Sequence, residues 1–298
     1  MNKRITDVCN KYGIKVDKVK LSSNYYIVFD KEKTYLLKNK NSSLKELFDY
    51  FDSINFNHYL RPLHGFDDYY EIYNYYDEVY SDEKKYNMLI DSLSELHKKS
   101  MYNEENENFD KLYDYINNKI NYLTNYYLDL QDYIERFSFP RLDYHYLIVN
   151  ISSFNVLLNF AKKKLDDWYE NSNHEIRKSI IVGCPTLDNF CSGNSGYFVN
   201  FDYYKKDYFI YDLVSLFKDK YSDNLYNLFN TYNRYNKLTN SELELFDSLI
   251  CIPKKLEFSS SSYDNILRIK EALKYNNKIY EFLLEKNEED QKTDKTKF

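Results

Sequence analysis

The stretch Ser22-Ser23-Asn24-Tyr25-Tyr26-Ile27-Val28-Phe29-Asp30-Lys31-Glu32-Lys33-Thr34-Tyr35-Leu36-Leu37-Lys38 decides how the rest of the chain is read. Residues 25–29 and 34–38 are rich in aromatic and β-branched side chains, and the polar residues between them have the composition of a turn. This pattern predicts an antiparallel hairpin. Five residues past Lys38, Ser43 stands three before Glu46, the spacing of a capping box, which predicts a helix through about Phe51. Residues 69–76 predict another strand. Met88, Leu89, Leu93 and Leu96 recur at helical spacing and predict a helix over residues 82–99.

Beyond residue 108 the pattern turns mainly helical. Phe154, Leu157, Leu158, Ala161, Leu165 and Trp168 form an apolar stripe that reads as core. Residues 179–182 and 197–201 are strand candidates, and the loop between them holds Gly193 and Gly196. Leu238-Thr239-Asn240-Ser241-Glu242-Leu243 combines a capping box with a hydrophobic staple. Ile266, Ile269, Leu273, Tyr280 and Leu283 mark a final helix, and the charged tail from Lys286 is expected to be disordered. The expected organisation is α+β. Residues 1–77 form a lobe of hairpin strands plus one helix, residues 78–285 a larger helical lobe, and residues 286–298 a disordered tail. The hinge is expected near residues 77–81, where no Pro/Gly-rich linker occurs.

Composition narrows the function. The formal charge of −6 argues against a general nucleic-acid or anionic-membrane binder, since both need a basic face. The 35 Tyr and 20 Phe predict a core with a wide amphipathic edge. Abundant Lys, Asn and Tyr with only 5 Gly and 4 Pro match an A+T-rich genome, so tyrosine by itself is no sign of a binding platform. Cys9, Cys184, Cys191 and Cys251 form no C-x-x-C pair and no zinc spacing, as expected of free thiols in a reducing cytosol. The first residues lack the apolar core of a signal peptide, and no apolar run is long enough to span a bilayer. The expectation is a soluble, cytoplasmic protein without nucleic-acid partners.

In their order along the chain, these pieces resemble the aminoglycoside phosphotransferases and the CotS-type spore-coat proteins of bacteria, members of the protein-kinase-like superfamily. Residues 22–38 resemble their first strands. Ser94-Glu95-Leu96-His97-Lys98-Lys99 resembles the end of the helix after their hinge. Trp168-Tyr169 and residues 179–190 resemble the approach to their catalytic loop. Val199-Asn200-Phe201-Asp202-Tyr203 resembles the metal-binding strand end, and Ile210-Tyr211-Asp212-Leu213 the segment after it. Residues 238–253 resemble a later helix of the CotS group. The likeness covers residues 20–285 and rests on order and spacing, not on any single motif. It implies a two-lobed protein-kinase-like fold, with a small antiparallel-sheet lobe and a larger, mainly helical one.

Phosphoryl transfer in such proteins needs a lysine on the nucleotide phosphates, carboxylate-held Mg²⁺, and an aspartate that takes the acceptor proton. The resemblance sets the loop on Val182-Gly183-Cys184-Pro185-Thr186-Leu187-Asp188-Asn189. Val182 stands at the histidine position and Cys184 at the catalytic-base position, while Asn189 matches the family asparagine. At the strand end Asn200 stands at the metal-aspartate position, with Asp202 two residues on. A thiol cannot replace a carboxylate base, and Cys184 has no histidine near it in sequence to make it a nucleophile. Asn200 can offer Mg²⁺ an oxygen but no charge. Asp202 reads either as a substitute ligand or as a turn-capping residue. Lys38 either pairs with Glu46, as in kinases, or is a solvated member of a lysine-rich segment. Ser22 and Ser23 stand where the phosphate-covering turn usually carries glycine. Asp212 is expected to hold the catalytic loop through hydrogen bonds.

The expected function is therefore that of a pseudokinase: a kinase-fold binding or scaffold protein for an unknown protein or small-molecule ligand. No resident cofactor is expected, ATP binding is expected to be weak, and Mg²⁺ would enter only with ATP. The alternative is an active ATP-dependent phosphotransferase, similar to aminoglycoside and choline kinases, with displaced catalytic groups. Spore association is conceivable from the CotS likeness alone.

Overall fold

The computed structural model describes residues 3–22, 25–31, 33–39, 44–63, 70–78, 80–105, 109–172, 175–193, 195–219 and 225–295. Ser23 and Ser43 lie outside the described residues. The chain divides into two compact units. The first comprises Met1–Met101, Ser179–Asp212 and Arg234–Asn236, and the second Tyr102–Lys178, Leu213–Asn233 and Lys237–Phe298. The first unit thus takes in residues 78–101 and 179–212, which the sequence reading assigned to the other lobe. Chain order alone does not reveal which later segment packs on the sheet.

In the first unit, four strands form an antiparallel sheet in the order β1-β2-β3-β4: β1 Lys18–Ser22, β2 Tyr25–Phe29, β3 Thr34–Asn39 and β4 Tyr70–Tyr75. The register sets Tyr25 opposite Lys38 and Lys38 opposite Glu71. Side chains alternate between faces. Val28, Leu37 and Ile72 point to one face, where helix α1 (Lys3–Lys11) covers them with Ile5, Val8 and Cys9. The sequence reading did not foresee α1, whose charged residues dilute a three-residue apolar stripe. Tyr25, Ile27, Leu36 and Tyr73 point to the other face, and so does Lys38, two residues beyond Leu36.

Helix α2 (Leu44–Ser53) buries Leu44, Leu47 and Phe51. Helix α3 (Asp82–Ser100) opens on Ser81, whose side chain accepts from the Lys84 N–H, and buries Leu89, Leu93 and Leu96. Its range agrees with the predicted helix within a residue or two at each end.

In the second unit, β5 (Tyr102–Glu105) pairs antiparallel with the first residues of β6 (Glu175–Ile181). Helices α4 (Phe109–Glu135) and α5 (Leu142–Asn171) follow β5, and the apolar stripe from Phe154 to Trp168 is buried as expected. The chain then re-enters the first unit for the short strands β7 (Phe190–Cys191), β8 (Tyr197–Phe198) and β9 (Lys205–Tyr208). It ends with helices α6 (Ile210–Lys218), α7 (Leu225–Tyr235), α8 (Asn240–Cys251) and α9 (Ser262–Lys295). The Thr239–Glu242 capping box forms at the start of α8.

The expected disordered tail is helical as far as α9 extends. Lys286 bonds the Asp247 carboxylate at 2.5 Å, and the Glu-, Lys- and Gln-rich residues beyond it favour continuing a helix already nucleated. Among the described residues no helix is long and apolar enough to cross a membrane.

Candidate phosphoryl-transfer site

The loop after β6 starts under firm control. Asp212, in the first turn of α6, accepts from the Val182 N–H at 2.6 Å and the Gly183 N–H at 2.8 Å. The Nε2 of His97, near the end of α3, lies 3.2 Å from Oδ2 of the same carboxylate, the oxygen that accepts from Val182. His97 and Asp212 are both fully buried. This is the loop-holding role expected of Asp212, and it gives the family-like histidine His97 a structural partner. Gly183 has φ +84°, and a Cβ there would lie 2.5 Å from the Tyr203 carbonyl oxygen. The turn therefore needs glycine.

The loop then closes on itself. The Asn189 side-chain amide donates to the Cys184 carbonyl at 3.0 Å, as does the Thr186 N–H. Cys184 is a half-buried free thiol. The nearby Tyr25 hydroxyl donates to the Asp188 carbonyl at 3.0 Å, tying β2 to the loop.

Lys38 faces the same region. It is 4% exposed, and its Nζ donates to the Val199 carbonyl at 3.1 Å and the Asn200 Oδ1 at 3.0 Å. Burial lowers its pKa below the ordinary lysine value, and the carboxylates of Asp202 and Glu71 oppose that shift. Lys38 is therefore not a solvated member of the lysine-rich segment. The pairing with Glu46 does not form. Leu44 and Leu47 define the buried face of α2, and Glu46 lies off it and exposed. The carboxylates whose fields reach Lys38 are Asp202 and Glu71, Glu71 being its neighbour across the β3–β4 ladder.

The predicted strand over residues 197–201 ends at Phe198. Beyond it the Asn200 side chain accepts from the Asp202 N–H at 3.0 Å, which folds the backbone into a turn in place of a ladder. Asn200 and Asp202 are consequently not neighbours along a strand face. The Asp202 carboxylate is one-third exposed and stands 3.9 Å from the Lys38 Nζ.

A hard cation with nucleotide favours converging carboxylates. The turn offers one, and the amide oxygen of Asn200 already accepts from both Lys38 and the Asp202 backbone. These residues do not fit a Mg²⁺–nucleotide complex of the kinase kind. Among the described residues, no three of His, Cys, Asp and Glu come together as metal ligands. Ser22 ends β1.

Sequence reasoning missed His58. Its Nδ1 lies 2.9 Å from the Gly196 carbonyl and its Nε2 3.2 Å from the Glu95 carboxylate, while its own carbonyl accepts from the Phe198 N–H. These partners are far apart in the chain, so no local motif could announce them.

With these positions fixed, the structure can be set against known ones. An aminoglycoside phosphotransferase from Alicyclobacillus acidocaldarius superposes with a TM-score of 0.61 at 9% identity, covering 91% of this chain and 94% of that one. The chain has the aminoglycoside phosphotransferase fold. That fold is kinase-like, as the sequence resemblance implied. A spectinomycin phosphotransferase in complex with ADP and spectinomycin (TM-score 0.49, 12% identity, 93% of each chain) is also similar. So is a choline kinase from Streptococcus pneumoniae (0.46, 11%, 96% of this chain and 99% of that one). No protein-family model matches the sequence, and no curated protein matches it.

Proposed function

We propose that this chain is a kinase-fold pseudoenzyme that works as a binding or scaffold protein. The observation that carries the reading is the bonding of Lys38. A lysine that serves phosphoryl transfer presents its ammonium to phosphate oxygens. Here the ammonium is buried and donates to a backbone carbonyl and to a neutral asparagine amide, at the position where the family resemblance expects a metal aspartate. Cys184, at the expected base position, adds support, since a thiol is a poor acceptor for an alcohol proton. The ligand is then a protein or small molecule held without group transfer.

An active phosphotransferase with displaced groups has one observation in its favour. The Asp202 carboxylate is partly exposed within 3.9 Å of Lys38. A transfer assay separates the two readings, run with ATP and Mg²⁺ against sugar, choline-like and aminoglycoside acceptors. The proteins to compare are the wild type, Cys184→Asp, Asn200→Asp and the double variant. The pseudoenzyme reading predicts no transfer by the wild type or by Cys184→Asp alone. Turnover by either would favour the displaced-group enzyme.

A further inference from the structure

The segment Tyr75-Tyr76-Asp77-Glu78 leaves the sheet at the end of β4 and is held by the loop that follows β7. The Tyr76 carbonyl accepts from the Gly193 N–H at 3.1 Å and from the Cys191 thiol. The Asp77 Oδ1 accepts from the Ser192 N–H at 3.2 Å, and the Ser192 hydroxyl lies 2.7 Å from the same oxygen and 2.9 Å from the Glu78 carbonyl. Ser192 is fully buried. At Gly193 the two backbones meet so closely that a Cβ would stand 2.1 Å from the Tyr76 oxygen. No other residue fits without moving one segment off the other.

The same loop fills the space under the sheet. Tyr25, Ile27, Leu36 and Tyr73 meet Cys191 and Val199 in a single buried cluster, with Phe29, Leu60 and Tyr75 packed around it. Burial pushes the Cys191 thiol up to about 11 and raises Tyr73 and Tyr75 well above the ordinary phenol value. Lys38 closes the far side on Val199 and Asn200, and Tyr25 closes the near side on Asp188.

A flat heteroaromatic ligand beside Lys38 needs two things: an apolar slot against the sheet, and free backbone acceptors or donors on the strand end beside it. The slot holds the chain's own side chains, and the Tyr76 carbonyl already has two donors. We propose that residues Cys191–Gly193 are an internal latch that occupies the nucleotide side of this unit. The latch holds residues 188–193 and 195–200 shut against the sheet in one nucleotide-independent conformation. The inference deepens the pseudoenzyme reading and rests on it, because it explains what the buried Lys38 does instead: it fastens one end of the closed loop.

The test is hydrogen exchange and thermal unfolding of the full chain, with and without millimolar ATP and Mg²⁺. The proteins are the wild type, Ser192→Ala, Asp77→Ala and Gly193→Ala. A latch predicts that nucleotide changes neither the melting temperature nor the exchange of residues 72–78 and 197–202 in the wild type. It also predicts that each variant speeds exchange in both segments together. Should Gly193→Ala fail to fold, Ser192→Ala carries the test, since it removes only a hydroxyl. Nucleotide protection of these segments in the wild type overturns the latch. If that protection comes without phosphoryl transfer, the pseudoenzyme reading survives it. Exchange that stays at wild-type rates in Ser192→Ala and Asp77→Ala also overturns the latch.

Discussion

Two ends of one loop carry opposite chemistry. At its start, Asp212 is a buried carboxylate with two backbone N–H donors and a buried histidine. Just past its end, the group that meets Lys38 is the neutral amide of Asn200. Charge is buried and fully partnered where it fixes the backbone, while the group that Lys38 bonds is neutral and the nearest carboxylate, Asp202, stands off at 3.9 Å. The contrast teaches that the shape of a kinase-like loop and its reactivity are held by different residues. On the proposed pseudoenzyme reading, this chain has lost the second without losing the first.

The largest test of this contrast is Asp212→Ala. It strips a partner from the buried Val182 N–H, from the Gly183 N–H and from His97, so it should cost about 3–5 kcal/mol of stability in chemical denaturation. A loss below about 1 kcal/mol would mean that the loop's start is not anchored as described. Next comes Gly193→Ala, where overpacking against Tyr76 should cost about 1–3 kcal/mol by the same measurement.

Lys38→Met should cost less, under about 1.5 kcal/mol, because it trades two hydrogen bonds for relief of a desolvated charge. A loss as large as that of Asp212→Ala would erase the contrast. The smallest effect belongs to Cys184→Ser, which keeps size and leaves the carbonyl bonds of residue 184 in place. Stability should stay within about 0.5 kcal/mol of wild type.

The alkaline limb offers a separate check. The lowered pKa of Lys38 means that the unfolded chain binds more protons there, so this residue adds stability as pH rises towards the ordinary lysine value. Tyr73 and Tyr75 act with the opposite sign. Burial raises both, so their contribution is complete below about pH 10, the ordinary phenol pKa, and is lost as pH rises through their folded values. Stability measured against pH should thus fall above about pH 10 in the wild type, and Tyr73→Phe should soften the fall.

Much of the fold was legible because it is written in local periodicity. Residues 25–38 gave the hairpin, and Leu89, Leu93 and Leu96 gave α3. Thr239 and Glu242 gave the start of α8. The kinase-like order of these pieces gave the fold, while the CotS likeness remains one of sequence anchors alone.

The site was legible only in part. Lys38 bonds Asn200, and Asn189 closes the loop on the Cys184 carbonyl, but the partner of Lys38 was misjudged. The capping pattern at Glu46 reports where a helix starts, not which way its surface faces. Asn200 was read as a strand residue because its neighbours are apolar, yet its side chain wins the Asp202 N–H and turns the chain. His58, Cys191 and Ser192 were out of reach, since each finds its meaning in residues tens to more than a hundred positions away.

The measurement that bears most directly on the central claim is a calorimetric titration of the wild-type chain with ATP, run once with Mg²⁺ and once without. A site whose lysine is fastened to a neutral asparagine, and whose slot is filled from within, predicts no Mg²⁺-dependent binding at millimolar nucleotide. Tight binding that appears only with Mg²⁺ would contradict it, because it would require the Asn200–Asp202 turn to hold the metal after all.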